Sequence, residues 1–136
     1  MKPPEEVIAR ITGQWLSRAD QDLKAAKALA ASEPPLLYPA CFHTQRSAEK
    51  HIKALLTRLQ IEFPKTHSIQ RLIELLQPVL PDVCSEIADA AELTNYGVEV
   101  RYPGDMPEPE EQETFEAIQI AEKVREIIIV AIKNLE

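Results

Sequence analysis

Apolar residues recur at helical intervals along almost the whole chain. Trp15, Ala19, Asp22, Ala26 and Leu29 succeed one another by steps of three or four, with Leu23 and Ala30 beside them. The spacing predicts a helix that starts within residues 5–14 and stops at Glu33-Pro34-Pro35. A second helix is predicted from about Tyr38 to Leu59, with Cys41, Ala48, Ile52, Leu55, Leu56 and Leu59 on its apolar side; Pro64 closes the connection after it. Ser68 is a candidate N-cap for a shorter helix carrying Ile69, Leu72, Ile73, Leu75 and Leu76, closed by Pro78 and Pro81. Pro81-Asp82 suits the first turn of another helix, with Val83, Ile87, Ala90, Ala91 and Leu93 as its apolar set. The last helix is predicted to begin near Pro109. Its acidic start (Glu110, Glu111, Glu113) complements the positive end of a helix dipole, and Phe115, Ile118, Ala121, Val124, Ile128 and Ala131 or Ile132 form its stripe. Taken alone, Ile127 to Ile132 could pass for a buried strand, but the helical period leading into it, unbroken by Gly or Pro, makes helix the better reading.

These elements predict an all-α fold: an antiparallel up-and-down bundle of four to five helices, in one domain spanning residues 1–136. Composition agrees. Apolar residues at 45% and charged residues at 27% argue against disorder, and three glycines are few for the tight turns of a β-sandwich. No apolar run approaches the ~20 residues of a membrane span and no signal-peptide pattern opens the chain, so a cytoplasmic protein is expected, without a membrane partner. The net charge of −7 disfavours a general nucleic-acid coat. It is unevenly spread, however. Residues 1–60 carry nine Lys/Arg against six Asp/Glu, whereas residues 61–136 carry six against sixteen, which leaves room for a basic face on the first half.

One connection breaks the pattern. Gly97 to Pro109 holds two glycines and three prolines and exceeds the ~2–8 residues usual between bundle helices. It carries Arg101 and Tyr102. Two polar intrusions lie on the helices themselves. Asp22 shares the stripe of Trp15, Ala19, Ala26 and Leu29, where a carboxylate needs a cation or several donors. Gln45 and Glu49 share a face with Phe42, Ile52 and Leu56, and an adjoining face carries His43, Arg46, Lys50 and Lys53. Arg101 is the evident counter-ion, since a guanidinium holds a carboxylate at two points. Two accounts stand side by side: a structural brace of Asp22, Glu49 and Arg101, or an exposed groove in which Arg101 and Tyr102, with Lys50 and His43 near, hold a phosphate or a base. His43, His51, His67, Cys41 and Cys84 show no paired metal spacing, and no Gly-rich phosphate loop, serine elbow or dinucleotide fingerprint occurs. Neither a metal nor a cofactor is therefore expected, and His67 in Thr66-His67-Ser68 reads as a capping or packing residue.

Several blocks also resemble a known family. Trp15-Leu16, Ala19, Asp22-Leu23 and Ala26 resemble the opening helix of HEPN domains. The run Cys41-Phe42-His43-Thr44-Gln45-Arg46-Ser47-Ala48-Glu49-Lys50, followed by Lys53-Ala54-Leu55-Leu56, resembles the second. Pro64-Lys65-Thr66-His67-Ser68 resembles the next junction, and Tyr96 with Arg101-Tyr102-Pro103 the segment before the last helix. The resemblance implies a helical bundle that forms homodimers, often encoded beside a minimal nucleotidyltransferase partner and linked to toxin–antitoxin or defence systems. The family's name records a nucleotide-binding role, which makes a nucleotide or RNA the expected ligand. Many relatives are metal-independent ribonucleases that use an Arg, four to six residues, then a His near the start of the last major helix. Here Arg101 stands at about that place, but residues 102–115 contain no histidine. The spacing does occur at Arg46 and His51, inside the second helix, where positions i and i+5 project ~140° apart. The leading expectation is a HEPN-like module that binds a nucleotide or RNA phosphate, or a nucleotidyltransferase. The alternatives are a metal-independent endoribonuclease toxin and a non-catalytic dimeric interaction scaffold.

Overall fold

The computed structural model describes residues 4–97, 104 and 108–136. Helix α1 spans Glu5–Ala30, with Glu5 and Glu6 in its first turn and Lys27 in its last, the charge order that a helix dipole favours. It buries Ala19, Asp22, Leu23 and Ala26 as a single stripe. After the turn through Pro34 and Pro35 the chain reverses into α2, Leu37–Arg58. Gln60 adopts φ 59° just past the end of α2. There its N–H donates to Thr57 O and that of Ile61 donates to Leu56 O, both at 2.9 Å, which satisfies carbonyls that a helix end leaves orphaned. Helix α3, Ile69–Leu76, starts at the cap the sequence predicts: the Ser68 hydroxyl accepts from Arg71 N–H at 3.2 Å. Helix α4 is Pro81–Ile87, with proline in its first turn, and α5 is Glu111–Asn134. Among the described residues every regular element is helical.

Two local expectations change. The predicted fourth helix is α-helical only to Ile87; Ala88–Gly97 tightens into a 3₁₀ segment. The reason is in the spacing, because the buried residues Cys84, Ile87, Ala90 and Leu93 recur every third position, the 3₁₀ period. On α5 the predicted stripe residue Phe115 is 57% exposed, and Thr114 takes the inward position instead. Thr114 lines up with Ala117, Ile118, Ala121 and Val124 at helical spacing, which turns Phe115 about 100° away.

Helix α2 occupies the centre. It packs on α1 most extensively and also on α5, α3 and the 3₁₀ segment. Its apolar side contributes Ala48, Ile52, Leu55 and Leu56, which join Ile69, Leu72, Leu76, Ile87, Leu93, Val124 and Ile128 in the main core. Because neighbours enclose α2, its polar residues are buried too: Thr44, Gln45, Arg46, Ser47, Glu49, His51 and Lys53. A charge on such a helix has to find its partner inside the bundle.

Candidate functional site

Two ion clusters flank α2. The first sits between α1 and α2. Asp22, buried on α1, faces two α2 side chains spaced two turns apart: His43 Nδ1 lies 2.8 Å from Oδ1, and Lys50 Nζ donates to Oδ2 at 2.6 Å. Both donors keep contact with solvent, their side chains being 35% and 25% exposed against 12% for Asp22. The carboxylate thus fixes one end of each group, while the other side of the pair faces outward.

The second cluster is closed. Glu49 is 2% exposed and uses both oxygens. Its Oε1 accepts from Gln45 Nε2 at 3.2 Å and Arg46 NH1 at 3.1 Å, with His67 Nδ1 at 3.0 Å; Oε2 accepts from Lys53 Nζ at 2.8 Å. Burial alone would push this carboxyl's pKa up. Lys53, His67 and Gln45 together outweigh burial and hold it below the ordinary value. Lys53 is further enclosed by the rings of Trp15 and Phe63, with Nζ 5.5 and 5.8 Å from their centroids. Arg46 lies over the Phe42 ring at 4.9 Å, contacts His67 and donates through NH2 to Gly97 O at 3.0 Å.

Gln45 explains the glycine. Its Nε2 also donates to His67 O at 2.9 Å, and its carboxamide packs so closely on Gly97 that a Cβ there would lie 2.7 Å from Gln45 Cδ. Gly97 therefore allows the 3₁₀ segment to approach α2. Helix α5 is tied to the 3₁₀ segment and to α2 as well. Tyr96 donates its hydroxyl to Glu113, and burial together with that acceptor pushes the phenol pKa well up, so the proton stays. Cys41 Sγ donates to Thr114 Oγ1 at 3.4 Å.

The sequence-predicted site residues therefore separate. Asp22, His43 and Lys50 come together in one cluster, and Gln45 and Glu49 belong to the other. The basic row on α2 does not form an open basic face, because each of its four basic side chains meets a carboxylate: His43 and Lys50 on Asp22, Arg46 and Lys53 on Glu49. That pairing also supplies the counter-ions for which Arg101 is the sequence candidate. Arg101 and Tyr102 lie outside the described residues. Sequence reasoning missed His67 as a partner of Glu49, although it lies just before the Ser68 cap on a junction that must pack against α2. Arg46 and His51 diverge. Fully buried His51 donates Nδ1–H to Ser47 O at 3.0 Å and places Nε2 3.4 Å from Asp20 Oδ1, without the alignment of a hydrogen bond. Burial holds its pKa down, against the opposing pull of Asp20. Among the described residues no group of three or more His, Cys, Asp or Glu could hold a metal ion, and no helix is long and apolar enough to cross a membrane.

Comparison with known proteins follows the same architecture. The family model described as the HEPN domain matches residues 12–134. The solved structure of ST0689, an archaeal HEPN homologue, is 26% identical and superposes with a TM-score of 0.67 over 89% of this chain and 97% of that chain. That of TT1696 from Thermus thermophilus is 26% identical, with a TM-score of 0.68 over 86% of this chain and 94% of that chain. No curated protein matches the sequence.

Proposed function

This chain belongs to the HEPN family, and on that footing we propose that it is a HEPN module binding the phosphate of a nucleotide or RNA end on the open side of the Asp22–His43–Lys50 cluster. One observation carries the reading: a buried carboxylate holds an ammonium and an imidazole side by side while both still reach solvent. Donors fixed before the ligand arrives lose little freedom on binding, which is where loosely held surface lysines fail. Arg101 and Tyr102 complete the site as a guanidinium for two-point contact with phosphate and a ring on which a base stacks.

The module acts as a homodimer beside a minimal nucleotidyltransferase, in a toxin–antitoxin or defence setting. The endoribonuclease alternative has no comparable support. Its Arg–His spacing falls on Arg46 and His51, which turn to different partners inside the bundle. Titration with ATP, GTP and short RNA tests the proposal. Saturable binding should weaken roughly tenfold to a hundredfold in Lys50→Ala and in Arg101→Ala, the loss of one charge-assisted contact each. No saturable signal, or equal binding by wild type and both variants, would overturn it.

A further inference from the structure

The turn between α1 and α2 meets the first turns of α5 around a pocket of about 350 Å³ that belongs to neither ion cluster. Pro35, Leu37, Phe115 and Ile118 give it an apolar floor, and Glu33 and Glu111 stand on its lining with no ion pair among the described residues. Phe115, 57% exposed, is the most exposed large apolar side chain of the described chain, and Leu36, 47% exposed, adjoins the floor. Such a ring gains from being covered. The nearby cation Lys27, one turn before the α1 end of the pocket, is taken by Glu122 at 3.1 Å. The site is therefore an apolar recess with a net negative rim.

The rim selects the occupant. A second copy of this chain, docking pocket to pocket about a two-fold axis, would bring two acidic rims together, and a nucleic acid would set phosphates against Glu33 and Glu111. An apolar side chain flanked by lysine or arginine satisfies both the floor and the rim. We infer that this pocket docks a cationic amphipathic segment of a protein partner, with one apolar side chain inserted beside Phe115 and basic side chains meeting Glu33 and Glu111. This inference is independent of the phosphate site at His43 and Lys50.

The test uses the full chain and two fluorescent helical peptides, one of leucine and lysine and one with glutamate replacing lysine, followed by anisotropy at physiological salt. The leucine–lysine helix should bind and the leucine–glutamate helix should not. Binding should weaken about tenfold or more in Phe115→Ser and in the double variant Glu33→Lys/Glu111→Lys, as truncating an anchor or reversing a complementary charge does. Glu62→Lys, an exposed reversal in the α2–α3 connection, should leave it unchanged. Equal loss in Glu62→Lys would mean attraction to net charge alone and would overturn the inference. So would binding indifferent to Phe115→Ser, or wild-type self-association in sedimentation that Phe115→Ser abolishes, which would assign the pocket to a second copy.

Discussion

Replacing Glu49 with alanine removes the acceptor that Gln45, Arg46, Lys53 and His67 share, and the cost can be worked from their burial. Arg46 and Lys53 would remain with side chains 7% exposed after losing the carboxylate they share. Breaking one partner out of a buried pair costs about 3–5 kcal/mol, because the charge left behind has lost its water. Both cations keep some solvation, Arg46 from Gly97 O and the Phe42 ring, Lys53 from the Trp15 and Phe63 rings, which places the expected loss toward the lower end, about 3 kcal/mol. For a chain of this size that corresponds to a melting temperature lowered by roughly 10 °C. Urea unfolding at pH 7, followed by circular dichroism, should show a lower midpoint with an unchanged slope. Acid supplies a second reading. The folded carboxyl titrates below its ordinary value of 4.5, so its stabilisation is fully present above that value and is lost as pH falls through the folded pKa. The gap between wild type and Glu49→Ala should accordingly shrink under acid. A loss below about 1 kcal/mol at pH 7, or a gap that acid leaves intact, would mean the cluster behaves as a surface ion pair and would refute the reasoning.

Two further perturbations probe the same fold. His51 is held neutral by burial, with its folded pKa below the ordinary 6.5. The unfolded chain therefore takes up a proton first as pH drops below 6.5, and His51 should contribute a destabilising slope of at most about 1.4 kcal/mol per pH unit. Chemical unfolding of His51→Gln between pH 7 and 5 should show a flatter pH dependence than wild type; parallel curves would count against a buried neutral imidazole. Ser68→Ala removes the hydroxyl that accepts from Arg71 N–H and should cost about 1 kcal/mol by the same unfolding measurement, whereas an unchanged midpoint would deny the cap its role.

The helical period of Trp15 to Leu29 and of Ile118 to Ile132 is strong enough to read from the residues alone, as are the Ser68 cap and the proline start of α4. What the period conceals is enclosure. A stripe rule assumes one buried face per helix, and α2 has neighbours on nearly every side, so Arg46 and Lys53 read as part of a solvated face while they are in fact interior. Phe115 fails for the opposite reason: Thr114, a residue the hydrophobic pattern skips, takes the inward register by bonding to Cys41 and to Glu110 O, the latter at 2.9 Å. The change to 3₁₀ geometry after Ile87 is legible only as a small shift from a mixed three-and-four step to a strict step of three. The inward aim of Asp22 and Glu49 follows from spacing; their partners do not, because which cation reaches which carboxylate depends on how α1, α2 and the His67 junction are set against one another.

Adjacent residues Glu49 and Lys50 illustrate how one helix serves two purposes. A step of about 100° per residue sends the first toward the α3 junction and the second toward α1. On the Glu49 side every charge is answered from within, and the group's work is to hold Gln45, Arg46 and Gly97 in a fixed relation at the point where the long connector leaves the bundle. On the Asp22 side the answer is partial, because one buried carboxylate faces two donors that still touch water. A closed cluster has no donor to offer a ligand without first breaking a costly buried pair. The open one does, and the closed cluster fixes the root of the segment that carries Arg101 and Tyr102. Ligand binding is thus expected on the α1–α2 side, with Glu49 substitutions reaching it only through stability and through the position of the connector's root.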